Sequence, residues 1–443
     1  MSKRRLHVVI VGGGIGGLCL AQGLRRAGVS VAVYERDGTA TGREQGYRVH
    51  IDPTGSRALH ACLPPSLWNT FVATAGDPGT AGFGFLTERL EPLVVVEDEI
   101  FRGGLTDPAQ GHHAVSRVTL RQILLAGLEG VVHFGKEFTG YEVQSDGRVR
   151  ATFTDGTAAV GDVLVGADGG ASRVRGQYLP DVRRVEVGAT GIGGRLDLND
   201  LTRSWLPSRL TGGMNVILGP RDFLFTAVFN RRRSRAEALA LIGDEVRAAG
   251  LDPDALLAHL EQRDYILWAF ITNSDACPTG ASGPELQRLV SGRMRGWDPD
   301  LRTLIADTQP GDINAFPFRT SVRPKPWPST NVTLLGDAIH SMTPAGGVGA
   351  NTALRDALVL GEALASANRG NTDLVPAIND YESQMLKYAF KAVDRSLGNA
   401  RQALGGRFSR VGARSFFRLC GALPALRRAV FSDTWTERSN EAA

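Results

Sequence analysis

Short unbroken apolar runs alternate with glycine-bearing turns in the first part of the chain. Leu6 to Val11 is one such run, and reads as a strand buried in a parallel sheet. Gly16 to Ala27 has helical periodicity, Gly28 terminates it, and Val29 to Tyr34 forms a second strand, so a strand–helix–strand unit opens the chain. Val160 to Val165 and Val332 to Leu335 are two further apolar strands, each running straight into a glycine-bearing turn. Between about Gly176 and Thr320 the pattern changes to β-leaning runs, Val185 to Arg195, Met214 to Asn230 and Tyr265 to Thr272, around a helical stretch from Arg235 to Gln262. A second helical stretch, Pro284 to Thr308, leads into Ile313 to Arg319, after which Pro324, Pro326 and Pro328 form a stiff linker. From Asn351 onward the periodicity is mainly helical, broken at Gly405, Gly406, Gly412 and Pro424. No internal repeat is visible. The pattern predicts an α/β fold with a second, separate sheet-based unit.

With 443 residues, 42% hydrophobic and 22% charged, the chain is long enough for two or three domains with their own cores. The 54 glycines follow no collagen-like period, so they mark tight turns and close approaches of backbone to a ligand. The formal charge of +4 is mild and the arginines are spread along the chain, which argues against nucleic-acid binding. Cys19, Cys62, Cys277 and Cys420 lie far apart, and His112 and His113 are adjacent, which on a strand points them apart, so no metal site is expected. These features, with no apolar run of membrane-spanning length, place the expected protein in a reducing, cytoplasmic setting.

Three motifs carry the chemistry. Gly12-Gly13-Gly14-Ile15-Gly16-Gly17 follows a strand and opens a helix, and Glu35 ends the next strand 18 residues after Gly17. Gly12 permits the tight turn, Gly14 lets backbone N–H groups approach a pyrophosphate, and Gly17 lets helix and strand pack, while Glu35 is placed to accept ribose hydroxyls. The second motif is Gly166-Ala167-Asp168-Gly169-Gly170, continuing through Ser172 to Arg175. The third runs Gly336-Asp337-Ala338-Ile339-His340 and on through Pro344 to Gly349-Ala350-Asn351, with Asp337 placed to accept a hydrogen bond from a polyol.

In this order and at these separations the motifs resemble the class A, aromatic-hydroxylase type FAD-dependent monooxygenases, over roughly residues 6 to 365. The resemblance implies a Rossmann-like FAD-binding domain (1–176, returning at 321–380), a mainly β-sheet substrate domain (177–320) and a C-terminal helical region (381–443). It assigns Gly12, Gly14, Ile15, Gly16, Gly17 and Glu35 to the ADP half of non-covalent FAD, places Arg36 directly after that acid as in many members, matches Arg117 to the family arginine that reaches the FAD, and puts Asp168 near the pyrophosphate and the nicotinamide cofactor. Asp337, Pro344, Gly349, Ala350 and Asn351 fall to the ribityl chain and the isoalloxazine ring. With one dinucleotide fingerprint present, NAD(P)H is implied as a transient electron donor. Two positions depart from the family: Thr343 stands where many members have a proline, and Gly347 where a glutamine or lysine is common.

The resemblance implies hydroxylation or epoxidation by dioxygen through a flavin C4a-hydroperoxide, on a hydrophobic, aromatic or polyketide-like molecule of specialised metabolism such as antibiotic biosynthesis. A non-redox alternative keeps FAD but cyclises a polyene, motivated by Thr343 and Gly347. The catalytic residues are not identifiable from sequence. Pocket candidates are Arg48 and His50, which alternate on a strand whose exposed face is an equally good reading, and Arg195, Phe225, Trp268, Phe316, Phe318 and Arg319, for which core packing is the alternative. His340 is expected to steady the loop rather than act in catalysis. Arg401 to Arg428 carries seven arginines and no acid, and reads as a basic amphipathic helix packed on its own domain with its arginines in water, membrane contact being the less favoured reading.

Overall fold

The computed structural model describes residues 5–40, 48–77, 79–102, 106–405 and 407–431. Its first unit is a five-stranded parallel sheet ordered Val332–Leu334, Val163–Gly166, His7–Val11, Ser30–Tyr34 and Val132–His133. The chain order reverses at the central strand, His7–Val11, which puts a ligand crevice beyond its carboxyl end. Val8, Val9 and Ile10 are essentially inaccessible to solvent, as a continuous apolar run in a doubly covered sheet requires. The helix Ile15–Arg26 packs on this sheet and against the long helix Gly349–Arg369.

The expected strand from Val160 to Val165 is in fact two. Ala158–Gly161 closes a small antiparallel sheet, and Val163–Gly166 joins the parallel one. The break falls at Asp162, whose carboxylate accepts the His7 N–H at 2.7 Å and whose own N–H donates to the His7 carbonyl.

The second unit is a seven-stranded mixed sheet ordered Asn314–Ser321, Arg184–Asp197, Tyr265–Asn273, Phe223–Phe229, Met214–Leu218, Phe83–Thr87 and Pro92–Val96. It thus draws two strands from chain preceding residue 177, and Phe83–Thr87 pairs in parallel with Met214–Leu218. One face is sealed by the helices Gly283–Arg293 and Pro299–Ala306, which bury Ile266, Trp268 and Phe270 with Leu286, Val290, Leu301 and Leu304. The other, inner face carries Tyr265, Leu267, Ala269 and Ile271 toward the first unit. A 31-residue helix, Leu374–Leu404, runs through residues 380 and 381 without a break and buries Tyr381, Met385 and Phe390 in the core of the first unit.

Candidate functional site

The first two glycine motifs touch. A Cβ on Gly12, whose φ is +110°, would stand 2.3 Å from the Ala167 carbonyl oxygen, and one on Gly17 would stand 2.2 Å from the Gly12 carbonyl oxygen. Only hydrogen fits at either position. Gly14 is different: a Cβ there would meet no atom within 4 Å. It caps a buried helix that has no side-chain cap and no acidic residue in its first turn, so the N–H groups of that turn and the positive end of the helix point at open space. Glu35, 4% exposed, accepts the Gly13 N–H at 2.7 Å and the Asp37 N–H at 2.9 Å. A cradle that a side chain would fill, an uncapped helix end and a buried carboxylate together fit the diphosphate and ribose of a dinucleotide. Ile15 and Gly16 are buried in the first turn, and Arg36 is exposed. Arg117 opens the helix Arg117–Leu125 in an exposed position, and it is Arg121, one turn on, that reaches the Gly13 carbonyl at 2.6 Å.

The Asp168 carboxylate is committed to its own turn. Oδ1 accepts the Ser172 hydroxyl at 2.5 Å and Oδ2 the Arg173 N–H at 2.7 Å. Asp337 is exposed and makes no hydrogen bond among the described residues, which leaves both oxygens to accept from hydroxyls of a bound polyol. Arg184, whose guanidinium packs on Gly170, feels the Asp337 charge: burial pulls the Arg184 pKa down and Asp337 opposes that. Arg175 ties the second and third motifs together by donating to the Ala338 carbonyl at 2.6 Å and the Gly170 carbonyl at 3.1 Å.

Beneath Asp337 lies a buried network. His340 Nε2 and Asp356 Oδ2 are 2.5 Å apart, the same oxygen accepts the Gly336 N–H at 2.7 Å, and the Tyr388 hydroxyl donates to Asp356 Oδ1 at 2.6 Å. Burial alone pulls the His340 pKa down, but the charge and hydrogen bond of Asp356, with Asp337 beyond, outweigh it and leave the pKa raised. His340 therefore steadies the third motif from behind.

The loop after it carries Pro344, exposed, and Gly346 and Gly347 at φ +115° and +65°, a backbone region where glycine is favoured. Gly347 is explained by that conformation. Thr343 is explained by its buried hydroxyl, which bonds the Ser396 carbonyl at 3.0 Å and the Ser396 hydroxyl at 2.5 Å and so moors the loop to the long helix. Gly349 and Ala350 begin the next helix. Asn351 accepts the Asp52 N–H at 3.0 Å and donates to the His50 carbonyl at 2.9 Å and the Gly347 carbonyl at 3.3 Å, holding three segments in place.

Among the pocket candidates, Phe225, Phe316 and Phe318 share the inner face of the second sheet, in one apolar cluster with Ala345 of the Pro344 loop and Ala400. Arg195 lies on the same face, its guanidinium 5.3 Å from the Tyr265 ring centre and 3.2 Å from Glu261. The charges of Arg48 and Arg195 both act on the Tyr265 hydroxyl, whose pKa is raised chiefly by burial. His50, on the strand Arg48–Ile51, pairs with His112 at 3.0 Å, just before the neighbouring strand His113–Ser116. Two candidates do not belong. Trp268 points to the opposite face, fully buried among the covering helices, with Nε1 donating to Thr308 Oγ1 at 2.9 Å. Arg319 alternates with Phe318, so it turns outward to an exposed ion pair with Glu186 at 3.0 Å. Trp268→Phe is accordingly expected to lower stability by about 1 to 3 kcal/mol and leave substrate turnover unchanged, by denaturant melts and steady-state rates. No group of metal-ligating side chains occurs among the described residues, and all four cysteines are free.

Fold and site together define a two-unit flavoprotein, with a dinucleotide cradle on one unit facing an apolar sheet on the other. The chain matches the NAD(P)-binding Rossmann-like domain over residues 10–73 and the FAD binding domain over residues 293–396. A Photorhabdus luminescens protein assigned as an FAD-containing monooxygenase is 36% identical and superposes with a TM-score of 0.76, over 90% of this chain and 98% of that one. This chain belongs to the FAD-dependent monooxygenase family, and its cofactor is FAD. The HpxO protein of Klebsiella pneumoniae, solved with FAD and uric acid, shares the fold at 22% identity and a TM-score of 0.73, over 97% of this chain and 96% of that one. A dual O-methyltransferase/FAD-dependent monooxygenase of Phaeosphaeria nodorum, elcB, is 31% identical over 91% of this chain and 46% of its own length. The chain spans about half the length of several curated relatives it matches, this one among them.

Proposed function

We propose that this protein uses NAD(P)H and dioxygen to hydroxylate or epoxidise a hydrophobic small molecule, aromatic or polyketide-like, in specialised-metabolite biosynthesis. The observation that carries the reading is the meeting of the Pro344 loop, through Ala345, with the phenylalanines of the inner sheet face. FAD, when bound, supplies passage of two electrons from the nicotinamide and activation of dioxygen for transfer of one oxygen atom. The residues of this chain do the rest. The helix end at Gly14 would hold the diphosphate, the remaining lone pairs of Glu35 would accept ribose hydroxyls, and Asp337 would accept from the ribityl chain. Phe225, Phe316 and Phe318 exclude water from the substrate face and orient an apolar ring against the loop. At the other end of that face the Arg195 and Arg48 charges stabilise an ionised phenol, which activates a ring toward oxygen transfer. The O-methyltransferase joined to the monooxygenase in the Phaeosphaeria relative supports a product with a new hydroxyl available for methylation.

The test is anaerobic reduction of the holoprotein by NADPH and NADH with candidate aromatic substrates, followed by labelled dioxygen. Flavin bleaching accelerated by a substrate, and one labelled oxygen atom in the product, are expected. Flavin that no donor reduces with any of these compounds present would count against the redox chemistry and favour cyclisation.

A further inference from the structure

The helix Arg407–Ala422 and the segment after it, to Phe431, are inverted relative to an ordinary surface helix. Phe417 stacks on Phe85 with ring centres 4.1 Å apart, and a Cβ on Gly421 would stand 2.3 Å from the Leu93 carbonyl oxygen, so this side is seated on the second sheet. Three arginines also turn inward: Arg414 meets Glu88 and the Leu218 carbonyl, Arg427 meets Glu97 at 2.6 Å, and Arg410 Nε donates to the Gly405 carbonyl at 2.9 Å. The solvent side is apolar instead. Val411, Phe416, Leu419 and Leu423 are 59, 43, 50 and 48% exposed, four of the ten exposed large hydrophobic side chains among the described residues. Gly412, Ser415, Ala422, Ala425 and Ala429 are exposed between them, with Arg418 and Arg428 exposed at the margins. No acidic residue occurs between Arg401 and Phe431. The side chains of Arg407 and Phe408, part of the basic segment in the sequence, lie outside the described residues.

We propose that this face binds a membrane surface containing anionic lipid, with the four apolar side chains entering the boundary between headgroups and acyl chains and the marginal arginines meeting lipid phosphates. No helix among the described residues is long and apolar enough to cross a membrane, so the contact is interfacial. Charge selects the occupant. Glu88 and Glu97 are already engaged by Arg414 and Arg427 on the inner side, so a second copy would bring arginines against arginines. A purely acidic protein partner would meet the exposed Arg418 but leave the four apolar side chains in water. An anionic bilayer satisfies both.

The contact does not depend on the proposed reaction, but it complements it: the inner side of the same helix shares an apolar cluster with Phe225, so a substrate partitioned into lipid would leave the bilayer close to the substrate face.

Flotation of the full-length, FAD-loaded chain with phosphatidylcholine vesicles, with and without about one-third phosphatidylserine, tests the proposal. The protein is expected to float with the anionic vesicles at low salt, to remain behind with phosphatidylcholine alone, and to be released as salt rises. Phe416→Glu together with Leu419→Glu should weaken flotation by at least about tenfold with unchanged flavin content and melting temperature, since both side chains are exposed, and Arg418→Glu alone by a severalfold factor. Absence of flotation with anionic vesicles would overturn the proposal. So would a dimer in analytical ultracentrifugation that the double substitution converts to monomer, since a second copy would then cover the face.

Discussion

Gly14→Val is expected to give protein that folds normally and is colourless. A Cβ at Gly14 meets no protein atom within 4 Å, so the apo fold accommodates the side chain, whereas the helix-end N–H groups need that space for the FAD diphosphate. Losing the close approach should weaken FAD binding by at least about a thousandfold, roughly 4 kcal/mol. Flavin absorbance, read beside far-UV circular dichroism and the melting temperature, makes the distinction. Gly12→Ala and Gly17→Ala should instead fail at folding, because their added methyl groups would lie 2.3 and 2.2 Å from backbone carbonyl oxygens. A Gly14→Val protein with a full complement of FAD would overturn the placement of the diphosphate.

Asp356→Ala should be the most destabilising single substitution in the site. It leaves the His340 ring, the Gly336 N–H and the Tyr388 hydroxyl without their acceptor in a region closed to water, a loss of about 3 to 5 kcal/mol. Gly336 sits at φ +62° directly before Asp337, so flavin retention should fall with stability. The His340 pKa is raised in the folded state by Asp356 against the opposing effect of burial. The charged pair therefore contributes its full stability below the ordinary histidine pKa of about 6.5, and loses it as pH rises through the elevated folded value. The stability difference between wild type and Asp356→Asn, measured by denaturant titration, should thus be largest near pH 6 and shrink toward alkaline pH. A difference that stays constant or grows across that range would show that His340 is not charged in the folded protein.

The three glycine motifs were legible in the sequence because each is a short run directly after an apolar strand; the Cβ that cannot fit at Gly17 is excluded by the Gly12 carbonyl five residues away, whereas the one at Gly12 is excluded by Ala167 of the second motif, which only the fold brings near. The face of each strand in the second sheet was less legible. Tyr265–Asn273 is buried on both sides, so the two-residue alternation that normally separates core from surface is erased, and Trp268 could not be assigned to the helix-covered side from sequence. The outward turn of Arg319 is legible in the sequence, since it directly follows Phe318 and two neighbours on a strand cannot share a face. Arg121 and Arg184 act on a carbonyl, a glycine and a charge distant in sequence and gave no signal of their own, and for Arg175, which ends the second motif, only the reach to Ala338 was hidden. Asp356 did give one. It lies among the buried Leu354, Ala357 and Leu360 on the core side of Gly349–Arg369, where an unexplained acid calls for a buried partner. The strands Phe83–Thr87 and Pro92–Val96 join the second sheet through a parallel pairing that skips more than a hundred residues, which no local pattern encodes.

The helix Leu374–Leu404 works as a ruler between the two units. Near one end Tyr381 donates its hydroxyl to the Leu334 carbonyl beside the flavin cradle, and near the other Ser396 moors Thr343 while Ala400 joins the phenylalanine cluster of the second sheet. Tyr381 and Ala400 are separated by about 28 Å of continuous helix, so the gap between cofactor loop and substrate wall is set by residue count along a rod. One residue inserted between Phe390 and Ser396 would turn the far end by about 100°, carrying Ser396 away from Thr343 while Tyr381 stayed seated. Evolution can therefore reshape this pocket freely by changing side chains on the sheet, whereas the helix tolerates substitution but not a change of length.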